Sequence, residues 1–124
     1  MIVLDTDILI EIFDKGSDKG DLAIQELDMA GEEIAITSIT YHEILYGLEK
    51  YGKKRIIKLE QLETLDFTKS DAKLSAKLEL DCERKGMMVS RMDSMIAGMV
   101  INRNAKLYTF NKKHFINFED LQLI

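Results

Sequence analysis

Ile2-Val3-Leu4-Asp5 is an apolar run closed by an acid, and its reading decides the fold. Consecutive aliphatic residues without polar alternation describe a strand covered on both faces. Ile34-Ala35-Ile36-Thr37 reads as a second strand, Lys106-Leu107-Tyr108-Thr109 as another, and Leu121-Gln122-Leu123-Ile124 offers one more. Helical periodicity fills the intervals. Polar Asp7, Glu11 and Asp14 mark one face of a helix over 7–13, with a strand as the alternative that its Ile and Leu density leaves open. Lys15 to Gly20 has loop composition, and Leu22 to Met29 reads as a helix stopped by Gly31. Tyr41, Ile44, Leu45 and Leu48 form one apolar stripe; Met92, Met95, Ile96, Met99 and Val100 form another. Lys53 to Leu62 and Ser70 to Lys85, the latter closed by Gly86, are further helix candidates. Strands separated by helices require right-handed crossovers. The expected fold is α/β, a parallel sheet of four to five strands with helices on both faces.

Composition narrows the function classes. A chain of 124 residues suits one domain spanning 1–124. Its formal net charge of −5 excludes a nucleic-acid binder built on a wholly basic surface, but not an enzyme with locally arranged charge. The lone Cys82 excludes an internal disulfide framework and fits a reducing compartment, so a cytoplasmic location is expected. His42, His114 and Cys82 are too few for a catalytic zinc site with three nitrogen or sulfur ligands. The longest apolar stretch, Met95 to Ile101, is far too short to span a membrane, and no basic segment precedes Ile2 as in a secretory signal.

Three acids stand at informative places. Asp5 follows the first strand, Glu43 lies three residues after Thr40, and Asp93 lies three residues after Ser90. Strand ends and the starts of the following helices line the ligand crevice of a parallel α/β sheet, so the three can converge. Each also has an ordinary reading: Thr40-x-x-Glu43 and Ser90-x-x-Asp93 match capping boxes, and Asp5 suits a turn. Capping alone does not predict acids at three crevice positions. Converging carboxylates suit a hard cation such as Mg²⁺ or Mn²⁺, and without one they repel, so at least one should have a raised pKa. The chemistry suggested is phosphodiester hydrolysis.

These residues resemble a known family. Ile2-Val3-Leu4-Asp5-Thr6-Asp7 resembles the opening of PIN-domain ribonucleases, particularly the VapC-type toxins of toxin–antitoxin pairs. Thr37-Ser38-Ile39-Thr40-Tyr41-His42-Glu43-Ile44-Leu45-Tyr46-Gly47-Leu48 is similar to their second motif, with a Glu ahead of an apolar pair and a Gly. Gly86 followed by Asp93-Ser94-Met95-Ile96-Ala97-Gly98 is similar to the third, and Thr109-Phe110-Asn111-Lys112-Lys113-His114-Phe115 to the fourth. The order and spacing cover essentially the whole chain. The resemblance implies a Mg²⁺- or Mn²⁺-dependent endoribonuclease, usually dimeric and held inactive by an antitoxin. It puts Asp5, Glu43 and Asp93 on the metal positions, with Thr6, Asp7 and Ser38 in support. The apolar segment Ile8–Phe13 joins it in suggesting a homodimer that binds an antitoxin peptide. Asn111 stands where many relatives carry Asp, and because Asn brings no charge it weakens the case for a second metal. His114 stands where an acid often precedes the Phe and reads as a surface or packing residue, with a place near substrate phosphate as the alternative.

Other readings stay open. Asp5-Thr6-Asp7 also resembles the start of aspartate-nucleophile phosphatases, although Leu9 departs from that motif. A receiver domain has similar length but places adjacent acids after its first strand. A PIN-like module with a degraded site, binding RNA or protein without cutting, is the non-enzyme alternative. Lys50, Lys53, Lys54, Arg55 and Lys58 read as a solvated face, whereas Lys112 and Lys113 are candidates for RNA phosphate contact. Met87, Met88, Met92, Met95 and Met99 read as core packing, with a partner surface as the alternative.

Overall fold

The computed structural model describes residues 1–54 and 56–124. Arg55, one of the basic cluster read from the sequence, lies outside the described residues. Strand β1 (Ile2–Leu4) leads into the single helical turn α1 (Thr6–Leu9), a π-helical turn (Ile10–Lys15) and α2 (Asp18–Ala30). Then come β2 (Ile34–Thr37), α3 (Ser38–Lys50), the short α4 (Ile57–Glu60) and β3 (Glu63–Leu65). The chain continues through α5 (Lys69–Arg84), α6 (Arg91–Asn102), β4 (Lys106–Tyr108), a 3₁₀ turn (Lys112–His114) and β5 (Gln122–Leu123).

The five strands are all parallel, in the order β3-β2-β1-β4-β5. Alternate side chains of the apolar runs feed two cores. Val3 and Leu107 pack with Ile96, Ala97, Val100 and Phe115 on one face; Ile2, Leu4, Ile36 and Tyr108 pack with Ile8, Leu9 and Leu27 on the other. Burial on both faces is why β1 reads as uninterrupted hydrophobic sequence.

Several expected boundaries moved. The loop over 15–20 shrinks to Gly16 and Ser17, because the Ser17 hydroxyl caps α2 by accepting from the Gly20 N–H at 3.1 Å. The helix over 7–13 is instead the α1 turn followed by the π turn, which ends where Gly16 takes φ of 54°. Gly20 packs against that turn so closely that a β-carbon there would lie 2.3 Å from the Glu11 carbonyl oxygen. Among the described residues of the helix expected over 53–62, only Ile57–Glu60 is helical. Strand β3 was invisible in the sequence: Glu63 and Thr64 are exposed on a sheet edge, so no apolar run marks it. Of the methionines assigned to the core, Met99 is fully buried but Met88 is 99% exposed and Met92 also faces solvent. No helix among the described residues is long and apolar enough to cross a membrane.

Candidate active site

Strand β1 is the topological switch point. Its forward connection leads to β2 on one side, and the chain returns through α5 and α6 to place β4 on the other. Crevices for ligands open at the carboxyl ends of strands at such a point. Asp5 leaves β1 there and Thr109 leaves β4. The Asp5 N–H donates to the Tyr108 carbonyl at 3.0 Å, carrying the β1–β4 pairing past the strands.

The Asp5 carboxylate is held by both oxygens. Oδ1 accepts from the Thr6 N–H at 2.9 Å, making Asp5 the N-cap of α1, and Oδ2 accepts from the Thr109 hydroxyl at 2.9 Å. Asp7 Oδ2 accepts from the Phe110 N–H at 3.0 Å, with the Thr109 hydroxyl farther off at 3.4 Å. Thr109 Oγ1 in turn accepts from the Asn111 N–H at 3.0 Å. The turn reading of Asp5 therefore holds, and the same carboxylate also joins β1 to the end of β4 through Thr109. Thr109 is the residue that sequence reasoning missed. Its signal was its place at the end of a strand and the start of the fourth motif, but that β4 pairs with β1 is seen only in the fold.

Glu43 does not cap its helix. The N-cap of α3 is Thr37, whose side chain accepts from the Thr40 N–H at 3.0 Å, so Glu43 falls in the second turn rather than the first. Asp93 does sit in the first turn of α6, where its N–H donates to Ser90 Oγ at 3.0 Å. Among the described residues its carboxylate does not return to the Ser90 N–H, as Asp71 does to Thr68 in the full capping box of α5. The His114 ring stands beside the Asp93 carboxylate, with Nδ1 3.8 Å from Oδ2.

The three acids feel one another. Asp5 is pushed above its ordinary value first by burial and further by the charges of Asp7 and Asp93. Glu43 is raised first by burial, then by Asp5 and Asp93. The expected pKa elevation is present, with desolvation a larger cause than mutual repulsion. Among the described residues, no three Asp, Glu, His or Cys side chains already converge at ligating distance of one point. The donor set nevertheless fits a hard cation, because Mg²⁺ keeps several waters and needs only one or two direct carboxylates. Two orphaned atoms support the fit. Among the described residues, Thr6 Oγ1 and Asp7 Oδ1 are buried without a hydrogen bond of ordinary geometry, although the Thr6 hydroxyl lies close enough to Glu43 to offset part of the rise in its pKa.

The remaining candidates sit around this centre. Ser38 opens α3 and is half-buried; Asn111, Lys112, Lys113 and His114 are exposed on the turn after β4. Within the apolar segment 8–13, Ile8 and Leu9 are buried in the core and unavailable to a partner. Ile10 and Phe13 instead line a pocket of about 210 Å³ with Ile44 and Leu48, opening beside Thr6 and Glu43.

Similarity to known proteins agrees with the geometry. The family model of the PIN domain matches residues 2–121. Ribonuclease VapC2 of Rickettsia felis is 33% identical over 127 residues, covering 98% of this chain and 94% of its own. Ribonuclease VapC1 of Methanocaldococcus jannaschii is 27% identical over 125 residues, covering 98% and 84%. The crystal structure of VapBC2 from Rickettsia felis, bound to a DNA fragment from its promoter, superposes with a TM-score of 0.83 at 31% identity, over 100% of this chain and 98% of that one. With its motifs in order and its sheet in the same arrangement, the chain belongs to the PIN-domain family.

Proposed function

We propose that this chain, acting as one domain over 1–124, is a divalent-metal-dependent endoribonuclease and the toxin of a toxin–antitoxin pair. The observation that carries the reading is the trio of Asp5, Glu43 and Asp93. Their charges act on one another at the switch point, and buried oxygens of Thr6 and Asp7 stand beside them. The two relatives described above are named ribonucleases.

Asp5, Glu43 and Asp93 would hold Mg²⁺ or Mn²⁺, and such an ion activates water and offsets the charge that builds on a phosphodiester. The protein's own part is positioning. Thr109 and the Thr6 N–H orient the two oxygens of Asp5, so its carboxylate is fixed ahead of any ligand. Ser38 and Asp7 support the edge of the site. Lys112 and Lys113 are placed to meet RNA phosphates, and Asn111 can hydrogen-bond water but adds no charge.

The partner follows from the same reading. An antitoxin segment would lay apolar side chains in the pocket of Ile10, Phe13, Ile44 and Leu48 and bring a basic group toward Glu43, competing with the ion. A homodimer in the cytoplasm, the reducing compartment that the lone Cys82 fits, completes the proposal.

RNA cleavage assayed with Mg²⁺, with Mn²⁺ and with excess chelator tests it. Activity restored by either ion and abolished by chelation is the expected result; robust cleavage in chelator overturns the metal role. RNA binding without cleavage under every condition would favour a degraded PIN module, for which the uncharged Asn111 is the supporting observation.

A further inference from the structure

A second concavity touches the site from the other side. It has a volume of about 550 Å³ and is lined by Glu26 and Met29 of α2, by Tyr108, Thr109 and Phe110 at the end of β4, and by Lys112. Thr109 belongs to both places: its hydroxyl holds Asp5, and its neighbour's N–H holds Asp7. A strand of RNA whose phosphate lies at the three acids therefore has this concavity one residue away.

Its chemistry is that of a base rather than of a phosphate or a peptide. Phe110 supplies an aromatic surface, steadied by Tyr108 edge-on at 6.0 Å and by the Lys19 ammonium 4.6 Å from the ring centroid. Bases stack on aromatic rings in single-stranded recognition. Glu26 is an exposed acceptor. Its Oε2 is fixed by the Tyr108 hydroxyl, which donates to it in a short hydrogen bond, and that anchor orients Oε1. Burial, with Glu26 beside it, pushes Tyr108 up to about 12, so the phenol keeps its proton. A carboxylate selects a partner with N–H donors and no opposing lone pair. Guanine offers two adjacent donors on its Watson–Crick edge. Adenine and cytosine set a ring nitrogen lone pair beside their amino group, and uracil flanks its single N–H with two carbonyls. Lys112 at the rim supplies a cation for the neighbouring phosphate.

Resting on the ribonuclease reading above, we propose that the concavity of Glu26, Tyr108, Phe110 and Lys112 is a nucleobase subsite that selects guanine beside the cleaved phosphate.

The test is a titration of the isotopically labelled, metal-free protein with 5′-GMP, AMP, CMP and UMP, followed by amide chemical shifts. GMP is expected to shift the Phe110 and Lys112 amides and to bind about tenfold more tightly than UMP. Glu26→Gln, which can still accept from Tyr108, is expected to bring that ratio near one. Phe110→Leu should weaken all four nucleotides by about tenfold, and Lys112→Ala gives a second probe should that variant fold poorly. Equal affinity for the four, shifts confined to other surfaces, no detectable binding, or a ratio indifferent to Glu26→Gln would each overturn the subsite. Because no cleavage enters the measurement, selective binding by a chain that cuts no RNA would leave the subsite standing and remove the ribonuclease reading. Metal-dependent cleavage with no nucleotide shifts would do the reverse.

Discussion

The Thr109 hydroxyl donates to Asp5 Oδ2 at 2.9 Å across a separation of 104 residues, joining the ends of β4 and β1 at the switch point. This bond offsets part of the desolvation that raises Asp5, and it fixes which way one carboxylate oxygen faces. Thr109→Val keeps the shape and removes the donor from a buried acid. The expected cost is about 1–3 kcal/mol of stability at neutral pH, together with a large loss of cleavage. Thr109→Ser should recover most of both. Denaturant unfolding and RNA cleavage of the pair check this, and a Val variant as stable and active as the parent would contradict it.

Asp93→Asn removes one of three coupled charges while leaving the backbone N–H that Ser90 caps in place. Without metal the variant should match the parent in stability or exceed it, by about 0.5–2 kcal/mol. Mg²⁺ should raise the parent's Tm through binding to the folded state and raise the variant's far less. Cleavage should fall by orders of magnitude. A purely capping role predicts lower stability, an unchanged response to Mg²⁺ and intact cleavage, so melting curves with and without the ion discriminate.

Glu43 makes a pH-dependent prediction. Its folded pKa is raised, so its native-state advantage is full below the unfolded value of 4.5 and is lost as pH rises through the folded value. At neutral pH the metal-free parent carries an ionised Glu43 in a half-buried place; Glu43→Gln does not. The variant should be the more stable of the two at pH 7, and the gap should close as pH falls toward about 4. Asp71, held near 2 by Arg103 and Asn102 despite its burial, works the opposite way and loses its contribution as pH falls below 3.8. Both proteins keep Asp71, so it cancels in the comparison. Urea midpoints across this pH range decide, and a gap independent of pH would contradict the assignment.

Gly20→Ala tests the seat of the π turn. The added carbon would meet the Glu11 carbonyl oxygen at 2.3 Å, and backbone on both sides leaves no flexible end to yield. The expected loss is about 1–3 kcal/mol, read as a lower denaturation midpoint. An unchanged midpoint would mean the π turn moves aside without cost.

Local chemistry made much of this protein legible from its residues alone. The apolar runs at 2–4 and 34–36 belong to strands because a parallel sheet buries both faces, and that requirement writes itself as uninterrupted hydrophobic sequence; at 106–108 only Leu107 and Tyr108 carry it. The stripe at Met92, Met95, Ile96, Met99 and Val100 marks α6 for the same kind of reason, although Met92 ends on the surface. Asp5, Glu43 and Asp93 stood out because strand ends and helix starts are where crevices form. Tertiary structure decided the rest. Edge strand β3 has no buried face to leave a pattern, and one serine hydroxyl moved the start of α2. That Glu43 belongs to the second turn of α3 depended on Thr37 reaching the Thr40 N–H, a competition between two nearby caps that spacing does not settle. The pairing of β4 with β1 brings Thr109 to Asp5 and Phe110 to Asp7, and strand order is set by which sheet faces the helices between must cover, a property of the whole chain and of no single segment.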